Sequence, residues 1–259
     1  MILLIGGTSE SSALALALNG AGHSVLVSMA TDVPLALPLG SGIELRRGRL
    51  NLEAMVALIK ERQIKAVVDA AHPFAREAHA TVAEAARVAA LPYLHWMRDA
   101  SDLPADQHVA MVRNHEEAAR LAAAWGKAIL LTTGSRNLQP YLREATLHKL
   151  PLYARVLPGT ESEQACRDAG FPFAQITFAR GPFSVDDTLT LLRKLEIGTL
   201  ISKESGKTGG VPEKIEAAQR AGCRVILIER AQYDEATLCR SHDEVIKRLA
   251  LALSSHPAE

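Results

Sequence analysis

Ile2-Leu3-Leu4-Ile5-Gly6-Gly7-Thr8-Ser9-Glu10 decides the reading of the fold: four apolar residues run into a glycine pair, and an alanine- and leucine-rich stretch follows. This pattern predicts a buried strand, a tight turn and a helix. Such a turn leaves backbone N–H groups and the positive end of a helix dipole beyond the strand, where a phosphate or pyrophosphate can sit. Nucleotide cofactor binding is therefore the first functional expectation. The turn is not the GxGxxG fingerprint, because Glu10 and Ser11 stand where that pattern wants its last glycine. A glycine turn without a ligand is the alternative for this segment taken alone.

Outward from this segment, short β-branched runs alternate with alanine-rich amphipathic stretches, the pattern of βαβ units and a mainly parallel sheet. In the first half, strands are expected near 2–5, 24–28, 42–47, 66–69 and 93–96, with helices over 10–19, 51–62 and 74–89. Asn19, Gly20 and Gly22 supply left-handed residues to close the first helix. In the second half, strands are expected near 109–112, 128–132, 152–156, 175–178, 199–202 and 224–228, with helices over 115–125, 161–169, 184–195 and 212–221. The stretch 98–107, with Asp99, Asp102, Pro104 and Asp106, breaks the periodicity. The fold class expected is α/β, with two Rossmann-like lobes of mainly parallel sheet, residues 1–98 and 99–259, and a cleft between them. A final helix at 243–253 docks on either lobe.

Composition narrows the class. At 259 residues, 48% hydrophobic and 22% charged, the chain has the balance of an ordinary soluble enzyme. Lys plus Arg (29) equals Asp plus Glu (29), so no general nucleic-acid footprint is expected. Cys166, Cys223 and Cys239 show no CxxC spacing, and the nine histidines are scattered without an HExxH motif. A reducing cytoplasm and no protein-bound metal are expected. No apolar run reaches membrane-spanning length, so neither export nor a membrane anchor is expected.

Open parallel sheets bind ligands beyond the carboxyl ends of their strands. There the chain carries Asp69-Ala70-Ala71-His72-Pro73-Phe74-Ala75, Thr132-Thr133-Gly134-Ser135, Arg155-Val156-Leu157-Pro158, Gly181-Pro182-Phe183-Ser184 and Ser202-Lys203-Glu204-Ser205-Gly206. Together with the opening turn, this ordered set closely resembles the precorrin-6A reductase family of cobalamin biosynthesis, over nearly the whole chain. The resemblance implies an NADPH-dependent oxidoreductase acting on a CH–CH group: hydride goes to a carbon of the precorrin-6A or cobalt-precorrin-6A macrocycle and a proton to its neighbour, giving precorrin-6B or its cobalt form. It also implies an NADPH-binding first lobe, a substrate-binding second lobe and transient contact with neighbouring pathway enzymes. A non-catalytic NADP-sensing protein, or a reductase of another small molecule on the same fold, is the alternative.

Expected cofactor contacts are Gly6, Gly7, Thr8, Ser9, Glu10, Ser28, Ala30, Thr31, Arg49, Asp69, Ala70, His72 and Pro73. The second strand has no terminal carboxylate, its nearest acid being Asp32, which leaves room for a 2′-phosphate. Arg46, Arg47 and Arg49 are either bidentate partners for that phosphate or a solvated basic edge. Glu10 is a first-turn residue favoured by the helix dipole, a ligand to a cofactor hydroxyl, or both. His72 is the one catalytic candidate, read as positioning a ligand more than donating a proton. The substrate implied is an acidic tetrapyrrole with many carboxylates. Its expected contacts are Phe74, Thr133, Gly134, Ser135, Arg155, Arg180, Ser202, Lys203, Ser205 and Lys207, with Phe183 a further apolar wall. Gly206-Lys207-Thr208 mimics the end of a P-loop, but Ile201 stands where that loop needs its first glycine. No tyrosine has a lysine four residues later, which counts against a short-chain carbonyl reductase.

Overall fold

Strands hidden on both faces need helices on both sides, and helices follow most of the strands in this chain. The computed structural model describes residues 1–7, 10–30, 37, 42–97 and 108–255. The expected contacts Thr8, Ser9 and Thr31, with Asp32 and the 98–107 stretch, lie outside these residues.

The first sheet contains β1 (Ile2–Ile5), β2 (Val25–Met29), β3 (Ile43–Arg47), β4 (Ala66–Asp69) and β5 (Tyr93–Trp96). Helices α1 (Glu10–Gly20), α2 (Leu52–Glu61) and α3 (Arg76–Val88) connect them. The second sheet contains β6 (Val109–Val112), β7 (Ile129–Leu131), β8 (Leu152–Val156), β9 (Ile176–Phe178), β10 (Thr199–Lys203) and β11 (Arg224–Ile228). Its helices are α4 (His115–Trp125), α5 (Gln139–His148), α6 (Thr160–Asp168), α7 (Val185–Lys194) and α8 (Val211–Ala221). The chain closes with β12 (Leu238–Cys239) and α9 (His242–Ser254).

Sheet order is β12-β5-β4-β1-β2-β3 in one sheet and β6-β11-β10-β7-β8-β9 in the other, and every pairing is parallel. Both follow the doubly wound 3-2-1-4-5-6 order, whose direction reverses beside the first strand. The sixth place is filled by exchange: β6 follows β5 in sequence but joins the second sheet, and β12 follows β11 but joins the first. Met1–Asp99 with Ala231–Glu259 accordingly form one unit, and Ala100–Arg230 the other.

This corrects the expectation that the second lobe runs to residue 259. The cause is packing: β12 pairs with β5, and Val245 and Leu249 of α9 join Leu14, Leu18, Trp96 and Cys239 in one apolar cluster. Two elements were not expected. α5 hides its signal because only Tyr141 and Ala145 are buried, no side chain caps its start, and Lys149 rather than glycine takes the left-handed position at its end. β12 is two residues long. α1 runs through Gly20, and Gly22 alone of the three expected closing residues adopts a positive φ (+87°).

Candidate functional site

At the carboxyl edge of the first sheet, Gly6 N–H donates to Ser28 O (2.9 Å) and Ala70 N–H to Ile5 O (2.9 Å), which brings the ends of β1, β2 and β4 together. Gly7 has φ +133°, a backbone geometry that favours glycine. A Cβ on Gly6 would stand 3.2 Å from Ser11 and Val27, so this turn admits close approach only without a side chain. α1 starts at Glu10 with its positive end toward the turn. Ser28 is buried, and Arg46 Nη1 reaches its hydroxyl (3.5 Å) and the Gly48 carbonyl (2.6 Å). Arg46 and Arg47 belong to β3 itself, opposite Ser28 and Met29, and only Arg49 lies beyond the strand. Ala30 and Arg49 are exposed at this edge. A bare glycine turn, a helix N-terminus, a small hydroxyl and guanidinium groups fit a phosphate-bearing dinucleotide.

The turn between β4 and α3 rests on a buried polar cluster that sequence reasoning missed. Asp69 is fully buried; its Oδ1 accepts from Ala71 N–H (3.0 Å), and its Oδ2 takes His79 Nδ1 (2.7 Å) and the Tyr93 hydroxyl (3.1 Å). His79 Nε2 lies 3.0 Å from the His72 carbonyl, so both ring nitrogens face acceptors, the arrangement of an imidazolium beside a carboxylate. Burial opposes both charges, but the mutual hydrogen bond prevails, lowering the Asp69 pKa and raising that of His79. His95 packs its ring against His79 (centroids 4.5 Å apart), and burial pushes its pKa down to about 4. The ligand-type atoms of Asp69, His79 and His95 all lie within 4.8 Å of one another, so the scattered histidines do converge, yet the ion pair already occupies His79. Tyr233, arriving from the returning segment, donates to the Pro73 carbonyl (3.1 Å).

This cluster engages three of the expected cofactor contacts within the protein. Asp69 has both oxygens engaged, Ala70 lies in the core with its N–H on Ile5, and Pro73 is buried with its carbonyl on Tyr233. His72 and Phe74 are the more accessible members of the turn. His72 is exposed, and its Nδ1 accepts from Phe74 N–H (3.2 Å), which places the proton of the neutral ring on Nε2. The available signal was His79 within the buried stripe of α3, alongside Val82, Ala85 and Ala86.

In the second sheet, Thr133 follows β7, Arg155 lies in β8, Arg180 follows β9, and Ser202, Lys203 and Ser205 lie in or after β10, all at the carboxyl edge. Thr133 is buried with its hydroxyl unpaired, Gly134 turns at φ +87°, and Ser135 is half-buried. Arg155 is 7% exposed, stacks on the Phe183 ring (3.8 Å) and donates from Nη1 to Thr188 (3.3 Å). Burial lowers its pKa to about 10, against the opposing influence of Asp187. Ser202 and Ser205 are buried, with weak hydroxyl bonds to Lys203 O and Gly209 O (3.4 Å each). Lys203 is half-buried, with its pKa lowered by burial and then by Arg136. Arg180 and Lys207 are exposed. Glu204 is tied to Arg230 at the end of β11, an ion pair sequence reasoning missed.

Two doubly wound units, the first with a phosphate-accommodating edge, define an α/β protein of dinucleotide-binding type. The chain belongs to the precorrin-6x reductase family: the family model described as Precorrin-6x reductase CbiJ/CobK matches residues 1–250. A cobalt-precorrin-6A reductase of Priestia megaterium is 36% identical over 250 residues, 96% of this chain and 98% of that one. A precorrin-6A reductase of Rhodococcus erythropolis is 30% identical over 239 residues, 91% of each. The solved structure titled CobK precorrin-6A reductase superposes with a TM-score of 0.78 at 25% identity, covering 100% of this chain and 99% of that one. No helix among the described residues is long and apolar enough to cross a membrane.

Proposed function

We propose that this protein reduces precorrin-6A, or its cobalt form, to the corresponding precorrin-6B with NADPH, in the cytoplasm. The observation that carries the reading is full-length likeness to reductases named for that substrate, joined to a first-unit edge fit for a phosphate-bearing cofactor. Three buried, unpaired cysteines support a reducing compartment. NADPH, when bound, supplies the hydride.

The residues of the chain bind and orient. Gly6 and Gly7 admit the cofactor backbone to the N-terminus of α1, and Ser28 with Arg46 favours a 2′-phosphate over a free ribose hydroxyl. The Asp69–His79 pair fixes the His72 carbonyl and thereby aims the His72 ring, whose Nδ1 accepts from Phe74 N–H and leaves Nε2 as the donor. Second-unit cations hold the macrocycle's carboxylates. Catalysis then rests mainly on reacting geometry, a contribution of several kcal/mol. Titrating NADPH and NADH separately tests the cofactor edge: NADPH binds more tightly, and Ser28→Asp erodes the preference. Equal wild-type affinity for both contradicts the reading.

A further inference from the structure

Tyr233 belongs to the segment that returns to the first unit, and local bonds hold it in place there. The neighbouring Asp234 closes a turn: its carbonyl accepts from Thr237 N–H (3.0 Å) and Leu238 N–H (3.2 Å), and its Oδ1 accepts from Ala236 N–H (2.9 Å). The Thr237 carbonyl accepts from His95 N–H of β5 (2.9 Å), which ties this turn to the sheet. The Tyr233 ring meets two buried imidazoles in T-shaped contacts, with centroid distances of 5.1 Å to His79 and 4.4 Å to His95. Its hydroxyl donates to Pro73 O (3.1 Å). Burial and then the Asp69 charge raise its pKa, against the influence of Arg76, so the phenol keeps the proton it donates.

The Pro73 carbonyl and the Phe74 N–H belong to one trans peptide, whose plane points them in opposite directions. Phe74 N–H donates to His72 Nδ1 (3.2 Å), so the N–H that holds the exposed His72 ring lies on the far side of the peptide that Tyr233 holds. Rotating this peptide would break both bonds at once. The His72 carbonyl is fixed separately, by Ala75 N–H (2.7 Å) and His79 Nε2 (3.0 Å). Those bonds act on the peptide before Pro73; the Tyr233 hydroxyl acts on the one after it.

We propose that Tyr233 is a positioning residue for His72: through the Pro73–Phe74 peptide its hydroxyl sets the direction of the N–H that binds Nδ1, and so keeps the Nε2 proton of the neutral ring aimed at the ligand. This role rests on the reading of His72 as a ligand-positioning group, and it adds the returning segment to the first-unit edge. It needs no lysine four residues later, because the phenol never gives up its proton.

Tyr233→Phe keeps the ring against His79 and His95 and removes only the donor, which makes it the variant of choice. In the free protein near pH 8, above the ordinary histidine pKa of about 6.5, nitrogen-15 shifts of the imidazoles report the tautomer, and His72→Ala identifies the His72 signals by their loss. The wild type carries the His72 proton on Nε2, and Tyr233→Phe moves these signals toward a mixture of the two tautomers. In turnover with precorrin-6A, Tyr233→Phe raises the NADPH KM about three- to tenfold, the worth of one hydrogen bond, and leaves kcat within about twofold. Added to His72→Ala, the same substitution changes the NADPH KM by less than about twofold, since the group it acts through is gone. Unmoved His72 signals in Tyr233→Phe overturn the proposal. An equal rise in KM with and without the His72 side chain makes the hydroxyl a support of the fold alone and overturns it as well. His72→Ala with an unaltered NADPH KM takes the ligand away from His72 and overturns the positioning role. A wild type without NADPH-dependent turnover overturns the reading of the protein as this reductase, while a shifted tautomer signal in Tyr233→Phe still supports the link through the peptide.

Discussion

Asp69 and His79 each lose hydration on burial, and each is kept charged by the other, so removing either leaves a charge stranded in the core. Asp69→Asn or His79→Ala is expected to cost about 3 to 5 kcal/mol of unfolding free energy, measured by urea denaturation. The pH dependence follows from the directions of the shifts. The His79 pKa is raised above 6.5, so its contribution is complete below that pH and is lost as pH rises through the folded value. The Asp69 pKa is lowered below 3.8, so its contribution is present above that pH and is lost as pH falls through the folded value. His95 accepts a proton at 6.5 when unfolded but at about 4 when folded, so acid destabilises by roughly 1.4 kcal/mol per pH unit between them. Stability measured against pH should fall on both sides of neutrality, and His79→Gln should remove the alkaline arm; an unchanged alkaline arm in that variant would place its origin elsewhere. His72 gives a separate test. His72→Asn retains turnover while His72→Ala mainly weakens binding, and a loss of about 10³-fold in His72→Asn with both ligands bound would instead indicate general acid catalysis.

The β1–α1 turn shows how an element constrains chemistry. Gly7→Ala forces a side chain onto φ +133°, a strain of about 1 to 3 kcal/mol, and should weaken NADPH binding measured by titration; unaltered affinity would separate the turn from the cofactor. The turn was legible in sequence because glycine and apolar runs are local signals, and β1, β4, β5, β8 and α4 follow them closely. α5 was not, because a helix with two buried residues and no cap has weak periodicity. The site divides in the same way. Strand ends could be read as a row of polar residues, but whether each faces ligand or neighbour depends on tertiary partners. Asp69 was expected at the cofactor, and its side chain meets His79, a partner ten residues later on another element, which the strand-end pattern did not reveal.

At the scale of the whole molecule, the exchange of β6 and β12 makes the first unit depend on the last part of the chain. Ending the chain after Arg230 removes β12 and α9 and uncovers Leu14, Leu18 and Trp96, each worth about 1.5 to 3 kcal/mol when fully buried. Hydrogen exchange should then show lost protection in the first unit and retained protection in the second; retained protection in both would contradict the assignment of the returning segment. The sequence order alone led to a tandem reading of two lobes, since nothing in a two-residue strand reveals which sheet it joins. The units nevertheless carry distinct functions in this account, a phosphate-accommodating edge in the first and cation-bearing strand ends in the second. Their combined function is tested most directly by mixing the purified protein with NADPH and precorrin-6A and following the near-ultraviolet absorbance of NADPH together with the mass of the macrocycle. The account predicts stoichiometric NADPH consumption and a dihydro product. Bound cofactor and bound macrocycle without consumption would contradict it.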